Sequence, residues 1–304
     1  MSKVVSTWRG LLVLAAWSHP VRVAAQGSVG ESGFPFEPMH AQPVAFGGAG
    51  VAMRGAPFAL VNPAALAGAR GAELSHRASA TGARDYAMAV THGGRWGTMR
   101  LAARRRDWGD VARDLGLQGV TAGEQSLSFT FARTAVADHM AWGLSVARLD
   151  ADYVGAHTAT WAFDGGTQAA IGRGFSVGVA VLHAGQGFKT SGDRAPLPTR
   201  IRPGTAWQGR IGHVRLATVT DLALPIRSGT QPDLHAGLQL GGTWGSASAA
   251  ARAGYRSLAS PGGPRQGSWE IGGGLTLGPF TADMAYIFGV VLGDERYISL
   301  DVRW

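Results

Sequence analysis

Few residues in this chain have types and spacing that suit chemistry, and the carboxylate pair Asp150 and Asp152 is the clearest candidate. Such a pair can contribute to a divalent-cation site, but calcium takes about 6–8 oxygen ligands, so a lone pair is more typical of a solvated turn. The nine histidines include no His-Glu-x-x-His motif, and no serine lies in a Gly-x-Ser-x-Gly elbow. The glycines at 48 and 50 lack the following Lys-Ser/Thr of a phosphate-binding loop. The sequence therefore predicts no catalytic residue, no cofactor and no metal site, and we do not expect an enzyme.

Apolar and polar residues alternate along the chain from residue 69 onward, as in segment 126–131, Ser-Leu-Ser-Phe-Thr-Phe. A period of two residues is typical of β-strands with one apolar and one polar face. Fourteen segments follow the pattern, at 69–80, 83–92, 95–105, 123–135, 138–149, 156–169, 173–185, 199–210, 213–224, 232–243, 246–257, 267–277, 279–288 and 295–304. They predict an all-β fold, a transmembrane antiparallel β-barrel of about 14 strands.

The connections between these segments alternate between short and long. The short ones are 93–94, 136–137, 211–212, 244–245 and 278, and the long ones are 106–122, 186–198, 225–231 and 258–266. Bacterial outer-membrane barrels have short periplasmic turns and longer external loops, whereas a soluble β-sandwich has no reason to sort its connections this way. The pattern favours a location in the outer membrane of a Gram-negative-type (diderm) bacterium.

The last segment, 297–304, alternates strictly and ends on an aromatic residue, as outer-membrane barrels do when they close. The residues expected to face lipid and to form the barrel-closing C-terminal signal are Ile298, Leu300, Val302 and Trp304. Ser299, Asp301 and Arg303 are expected to face the lumen, because successive side chains of a strand point to opposite faces. This arrangement implies contact with outer-membrane lipid and with the barrel-assembly machinery.

Charged side chains inside the predicted strands are expected to face a polar interior, since placing them in lipid is costly. The inward-facing candidates are Asp85, Arg148, Asp221, Arg252, Glu270, Asp283 and Arg303. The triplet 104–106, Arg-Arg-Arg, is expected to mark a strand end in the headgroup zone. The formal net charge is +8, but the other basic residues are spread singly, so we expect no nucleic-acid partner. Tryptophans near strand ends predict interfacial girdles.

The N-terminus has the three parts of a secretory signal: Lys3 and Arg9, then the apolar stretch 11–17, then small residues at 23–26. The apolar stretch is too short to span the ~30 Å of bilayer hydrocarbon. We therefore expect residues 1–26 to be a removed signal peptide. The chain has no cysteine, which excludes disulfides and thiolate metal sites.

Residues 27–68 do not alternate, yet they are too apolar for a disordered tail. Their glycines allow close approach of other backbone, and the Asn-Pro step initiates a turn before the helix-compatible stretch 64–67. We predict that this segment is a plug, or hatch, inside a barrel formed by residues 69–304; a periplasmic arm is the alternative. The candidate plug residues are Gly47, Gly48, Gly50, Phe58, Asn62 and Pro63.

Two stretches of this segment, 47–52 and 62–66, together resemble the N-terminal signature of the FadL-like superfamily of fatty-acid-transporter barrels, particularly its PorV/PorQ family. Further stretches are similar to that family in order and spacing, at 162–166, 178–185, 197–204, 252–255 and 297–304. The resemblance covers most of the mature chain. The chain departs from the family pattern at Ala65, where glycine is usual, at His183, where asparagine is frequent, and at Trp304, where phenylalanine is usual.

The resemblance implies one of two functions. The PorV/PorQ family implies a non-enzymatic outer-membrane barrel associated with protein secretion, with secretion-system proteins as partners. The wider superfamily implies a conduit for hydrophobic small molecules, such as fatty acids, whose plug releases a hydrophobic ligand when it shifts. A structural barrel without transport is a third alternative. The closer family match favours secretion, and the apolar plug favours the conduit. We expect a PorV/PorQ-type barrel associated with protein secretion, with the conduit for hydrophobic small molecules as the alternative.

Overall fold

The computed structural model describes residues 37–80, 82–108, 123–135, 139–153, 156–189, 194–226, 231–258, 266–288 and 293–304. The predicted signal peptide, residues 1–26, lies outside the described residues, and so do residues 27–36 of the predicted plug. The boundaries predicted at residues 26 and 68 therefore stay predictions. None of the helices in the described part of the chain is long and apolar enough to cross a membrane.

Fourteen antiparallel strands form a closed barrel, as the alternation predicted. They are β1 (Gly71–Ser79), β2 (Arg84–Gly94), β3 (Gly97–Asp107), β4 (Gly123–Ala135), β5 (Met140–Tyr153), β6 (Ala156–Gly172), β7 (Phe175–Gly185), β10 (Arg200–Ile211), β11 (Val214–Pro225), β12 (Asp233–Trp244), β13 (Ala247–Leu258), β14 (Gln266–Leu277), β15 (Phe280–Phe288) and β16 (Glu295–Val302). The short strands β8 (Phe188–Lys189) and β9 (Arg194–Ala195) pair with each other outside this barrel. Pairing of β1 with β16 closes the ring, so the barrel has no free strand edge.

The alternation places apolar side chains on the outer surface and polar ones in the lumen. In β16, Ile298 and Leu300 are about half exposed, whereas Ser299 and Asp301 are buried. The outer belt contains Leu74, Met88, Val90, Leu101, Leu127, Phe129, Leu144, Phe163, Val179, Leu238, Leu240, Leu275 and Met284. An apolar outside around a polar inside reverses the pattern of a soluble protein and fits a barrel surrounded by hydrocarbon.

The prediction that Arg148 faces the lumen is wrong. Its side chain is half exposed and lies on the outer face of β5 with Leu144, while the adjacent Leu149 is buried. Arg148 pairs on that face with Asp150, at 3.0 Å between Nε and Oδ2. The period of two decides the direction of this side chain, because it lies four residues from Leu144 and therefore shares its face.

Connection lengths separate the two ends of the barrel. We call one end the short-turn end; its connections are residues 95–96, 136–139, 173–174, 212–213, 245–246 and 278–279. The opposite end, the long-loop end, has the long connections 108–122, 186–199, 226–232 and 259–265, together with the shorter connections 80–83, 154–155 and 289–294. The predicted long and short connections are thus sorted to opposite ends. Exposed tryptophans lie near both ends of the barrel. Trp96, Trp142, Trp244 and Trp304 are near the short-turn end, and Trp161 and Trp269 are nearer the long-loop end.

Candidate functional site

A plug formed by residues 37–70 fills the middle of the barrel lumen. It contains the helix α1 (Ala41–Ala45) and two short 3-10 helices, Ala56–Phe58 and Pro63–Leu66. Five of its apolar side chains are at most 1% exposed, namely Phe46, Phe58, Val51, Val61 and Leu66. The rings of Phe46 and Phe58 pack with centroids 6.2 Å apart. The plug therefore has its own small apolar core inside a lumen whose other side chains are mostly polar.

The plug backbone approaches the barrel wall closely at glycines of the wall. At Gly254 of β13, a Cβ atom would overlap the backbone of Phe46 and Gly47, and at Gly178 of β7 it would overlap that of Val51. The other wall glycines where a Cβ would meet the plug are Gly93, Gly143, Gly166, Gly204, Gly237 and Gly272. These positions face inward, and the missing side chains leave the space that the plug occupies.

One side of the plug is held by a buried group of charged residues on β10, β11 and β12. Asp221 Oδ2 accepts hydrogen bonds from the backbone N–H groups of Gly50, at 2.6 Å, and Val51, at 3.0 Å. Arg202 Nη2 lies 3.2 Å from the same oxygen and donates to the carbonyl of Gly48 at 2.5 Å. His235 Nδ1 donates to the carbonyl of Gly47 at 2.6 Å. We call Arg202, Asp221 and His235 the latch; all three bind the backbone of the plug.

The adjoining side of the plug is held by amide side chains, one of them on β6, which only β7 separates from β10 in the ring. Gln168 of β6 donates from Nε2 to the carbonyls of Val51, at 2.7 Å, and Met53, at 2.8 Å. Asn62 donates from Nδ2 to the carbonyl of Thr167 at 3.1 Å, which ties the plug to the wall. Its Oδ1 accepts from Ala64 N–H at 3.0 Å and so caps the second 3-10 helix, which begins at Pro63.

A third contact joins the start of α1 to β16. His40 Nε2 lies 3.0 Å from both carboxylate oxygens of Asp301, and Ala41 N–H donates to Ser299 Oγ at 2.9 Å. His40, Asp283 and Asp301 place donor atoms within 4.8 Å of one another, a spacing that a metal ion could use. However, Gln42 N–H donates to His40 Nδ1 at 3.1 Å, so the proton of the neutral imidazole lies on Nε2 and points at Asp301. This geometry favours a hydrogen bond over a metal site.

Above the plug, towards the long-loop end, arginines surround two carboxylates. Asp85 accepts from Arg77 at 3.1 Å, from Arg104 at 2.8 Å and from Arg106 at 2.8 Å. Glu37 of the plug lies 3.9 Å from Arg77 and 4.0 Å from Arg106. The triplet 104–106 lies at the end of β3, as predicted, but it does not face outward as a whole. Arg104 and Arg106 point inward and only the residue between them is exposed, because alternate residues of β3 face the lumen.

The charge of these arginines acts on Glu37. Burial raises the pKa of the Glu37 carboxyl, but the positive charges of Arg77, Arg256 and Arg106 outweigh burial, so its pKa lies below the usual value of 4.5. Because the pKa of the Glu37 carboxyl is lowered when the plug is seated, its ionised form stabilises the seated plug at pH values above its ordinary pKa of 4.5. This stabilisation is lost as the pH falls through the lowered pKa.

We therefore expect acidification below about pH 4.5 to loosen the start of the plug in the wild type more than in Glu37→Gln. The measurement is the open fraction of channels in planar bilayers as a function of pH, with Asp294→Asn, an exposed acid at the long-loop end, as control. The control should keep the wild-type profile. Identical profiles for the wild type and Glu37→Gln would show that this carboxyl does not hold the plug.

Below the plug, a vestibule of about 1110 Å³ opens at the short-turn end. Its wall includes Arg210 and Arg215 on one side, Arg303 on the other, and Met53 of the plug above. A smaller cavity of about 40 Å³ lies between the plug and strands β1 to β4. The lumen is thus open from the short-turn end as far as the plug.

The structure also gives the positions of the plug glycines, of the Asp150 and Asp152 pair and of the C-terminal residues that the sequence singles out. Gly47, Gly48 and Gly50 have positive φ values of 71°, 73° and 143°, which L side chains rarely adopt. Asp150 and Asp152 both lie near the His157 ring, at 3.6 Å and 2.8 Å, towards the end of β5 at the edge of the barrel. The role of the four C-terminal residues as a closing signal stays a prediction, although β16 does close the barrel.

The sequence alone did not single out three residues that hold the plug: Gln168, Arg202 and His235. Each is a polar residue at a buried, inward-facing position; Arg202 and His235 are the third residues of β10 and β12, and Gln168 lies four residues before the end of β6. Such a position is a usable signal, because an empty pore places no demand on one particular inward-facing side chain, whereas a plug needs hydrogen-bond partners there.

The fold and the lumen together define a plugged, fourteen-stranded β-barrel. No known protein-family model matches the sequence, and no curated protein matches it either. Solved structures share the fold. The Ralstonia pickettii toluene transporter TbuX is 14% identical and aligns with a TM-score of 0.56 over 89% of this chain and 100% of its own. The monoaromatic hydrocarbon channel CymD is 12% identical, with a TM-score of 0.59 over 89% of this chain and 99% of its own.

The P. putida toluene transporter TodX is also 12% identical, with a TM-score of 0.54 over 88% of this chain and 99% of its own. Identities this low establish likeness of fold. Membership of the FadL-like superfamily, and of its PorV/PorQ family in particular, stays a prediction.

Proposed function

We propose that this protein is a non-enzymatic outer-membrane conduit for hydrophobic small molecules, gated by its plug. The observation that carries the proposal is that a segment of the same chain closes the lumen while the wall holds it mainly through hydrogen bonds to its backbone. A segment held in this way can shift without disturbing the barrel. The apolar outer surface and the sorting of connection lengths support insertion in the outer membrane with the short-turn end in the periplasm.

The chemistry of the plug supports a hydrophobic cargo. Its core brings Phe46, Val51, Phe58 and Val61 into a lumen that is otherwise polar, and these side chains become available to an apolar molecule when the plug shifts. Fold relatives with the names toluene transporter and monoaromatic hydrocarbon channel support the same class of cargo. A small apolar compound is therefore the cargo that we propose.

The secretion-associated function remains the alternative, and it has different consequences. A secretion partner would remain bound during extraction of the protein from membranes, whereas a conduit would retain a lipid-like molecule or nothing. Mass spectrometry of the purified protein distinguishes the two. A stoichiometric exported protein would favour secretion and count against the conduit.

A disulfide between the plug and the wall tests the gate directly. At Gly166 of β6, a Cβ atom would lie 2.9 Å from Cγ of Asn62. In a disulfide, the sulfur of one cysteine lies about 3 Å from Cβ of the other. A cysteine sulfur at position 62 would stand where Cγ of Asn62 is, so cysteines at positions 62 and 166 have suitable geometry. The chain has no cysteine of its own to compete.

We expect oxidised Asn62→Cys/Gly166→Cys protein to block uptake and the reduced form to restore it, because only the oxidised plug is tied to the wall. The measurement is uptake of radiolabelled toluene into proteoliposomes, with a radiolabelled sugar as the hydrophilic control and each single variant as the redox control. Equal toluene uptake by the oxidised and reduced forms would show that the cargo does not pass the plug.

A further inference from the structure

The charged groups of the barrel are distributed very unevenly between its two ends. Within the described residues, every exposed charged side chain at the short-turn end is an arginine: Arg54, Arg70, Arg95, Arg133, Arg173, Arg210, Arg215 and Arg303. The sequence adds one acid there, Asp138, which lies outside the described residues. The long-loop end mixes both signs and exposes acids such as Asp107, Asp152 and Asp294.

Five of these arginines line the vestibule below the plug: Arg54, Arg70, Arg210, Arg215 and Arg303. The three acids of the vestibule wall are buried and already paired. Glu73 accepts from Arg100 at 2.6 Å, Asp283 from Arg252 at 2.5 Å, and Asp301 faces the His40 ring at 3.0 Å. The exposed surface of the vestibule is therefore strongly positive.

The arginines do not converge on one point. Arg70 and Arg303 lie beside β1 and β16, whereas Arg210 and Arg215 lie on β10 and β11. Six strands separate β1 from β10 in either direction around the fourteen-stranded ring, so the two pairs lie on opposite sides of the mouth. One carboxylate or phosphate group can reach only one pair. A chain that carries several carboxylates can reach both.

We propose that the vestibule docks an acidic, extended segment of a soluble periplasmic protein. Guanidinium groups bind carboxylates through two parallel hydrogen bonds and match the planar geometry of these groups. The five arginines face the lumen, where phospholipid headgroups of the surrounding membrane do not reach them. Apolar side chains among them, including Met53, Ala217 and Ala250, provide contacts for apolar residues between the acidic ones. The proposed docking site does not depend on which molecule passes through the lumen, so a test that disproves the conduit function leaves the docking proposal unaffected.

The probe is a fluorescent ten-residue glutamate peptide, with a ten-residue glutamine peptide as its uncharged match, added to the full-length protein in nanodiscs. Binding is followed by fluorescence anisotropy at several salt concentrations. Three variants test the vestibule: Arg70→Gln/Arg303→Gln, Arg210→Gln/Arg215→Gln, and the four substitutions together. The control carries four substitutions to glutamine at the long-loop end, at Arg84, Arg105, Arg194 and Arg296, and so loses the same charge.

We expect the glutamate peptide to bind and the glutamine peptide not to bind, with affinity falling as salt rises. Each double variant should weaken binding, the fourfold variant should weaken it by about tenfold or more, and the control should bind as the wild type does. Equal binding by the fourfold variant and the control would overturn the proposal, since net charge alone would then explain the attraction. Sensitivity to only one pair, or displacement of the peptide by a single-carboxylate amphiphile such as laurate, would also overturn it, because a small anionic molecule would then be the occupant.

Discussion

Replacing Asp221 by alanine is expected to open the lumen more than any other change of a single wall side chain. Asp221 is 1% exposed and binds two backbone N–H groups of the plug as well as Arg202. Its removal leaves these donors without their acceptor and leaves the Arg202 guanidinium buried without its counter-charge. Breaking a buried ion pair by removing one partner costs roughly 3–5 kcal/mol. The ratio of released to seated plug should therefore rise about a hundredfold or more.

The measurement is single-channel conductance in planar bilayers, with the temperature-dependent mobility of the barrel on denaturing gels as a check on folding. Asp221→Asn should open the lumen less, because its amide oxygen can still accept from Gly50 and Val51. Asp85→Ala is the matched control: it breaks a buried acid–arginine group of the wall and should lower barrel stability without opening the lumen. A closed lumen in folded Asp221→Ala would mean that the amide contacts of Gln168 and Asn62 suffice.

The strands were predictable from the sequence because lipid and lumen impose opposite demands on successive residues. Because that signal is local, the predicted strand bounds are close to those in the structure. For example, the sequence predicted a strand at 232–243, and β12 spans Asp233–Trp244. Arg148 shows where inference from residue type fails. A charged side chain was placed inside on general grounds, whereas the alternation of its own strand places it outside, beside Asp150.

The plug shows a different limit of the sequence. Glycine and apolar content indicated that the segment is packed against something, and the Asn-Pro step indicated the turn at Asn62. The partners of the segment were not predictable, because Asp221 lies 171 residues from Gly50 along the chain and Gln168 lies 117 residues from Val51. No local pattern connects residues so far apart. Only the closure of the barrel brings β6 and β11 around the same segment.

Adding a side chain at Gly254 should expel the plug without removing any hydrogen-bonding group. A Cβ atom at this position would lie 2.5 Å from the carbonyl carbon of Phe46 and 2.8 Å from Cα of Gly47. These are backbone atoms, which cannot rotate out of the way as a flexible side chain can, and overpacking of a filled interior costs about 1–3 kcal/mol or more. We expect Gly254→Val to form a folded barrel with a largely open lumen and raised conductance.

Gly273→Val is the matched control for this prediction, because Gly273 lies on the neighbouring strand β14 at an outward-facing position. Its nearest atom to an added Cβ is the carbonyl oxygen of Ala250, at 3.3 Å, so the substitution does not touch the plug. The control should fold and stay closed. If Gly254→Val is folded and equally closed, residues 46–48 must shift within the barrel and remain there, and the close approach of plug and wall would then not be what keeps the lumen shut. If both variants conduct, the strain of valine in the wall, and not the plug, sets the conductance.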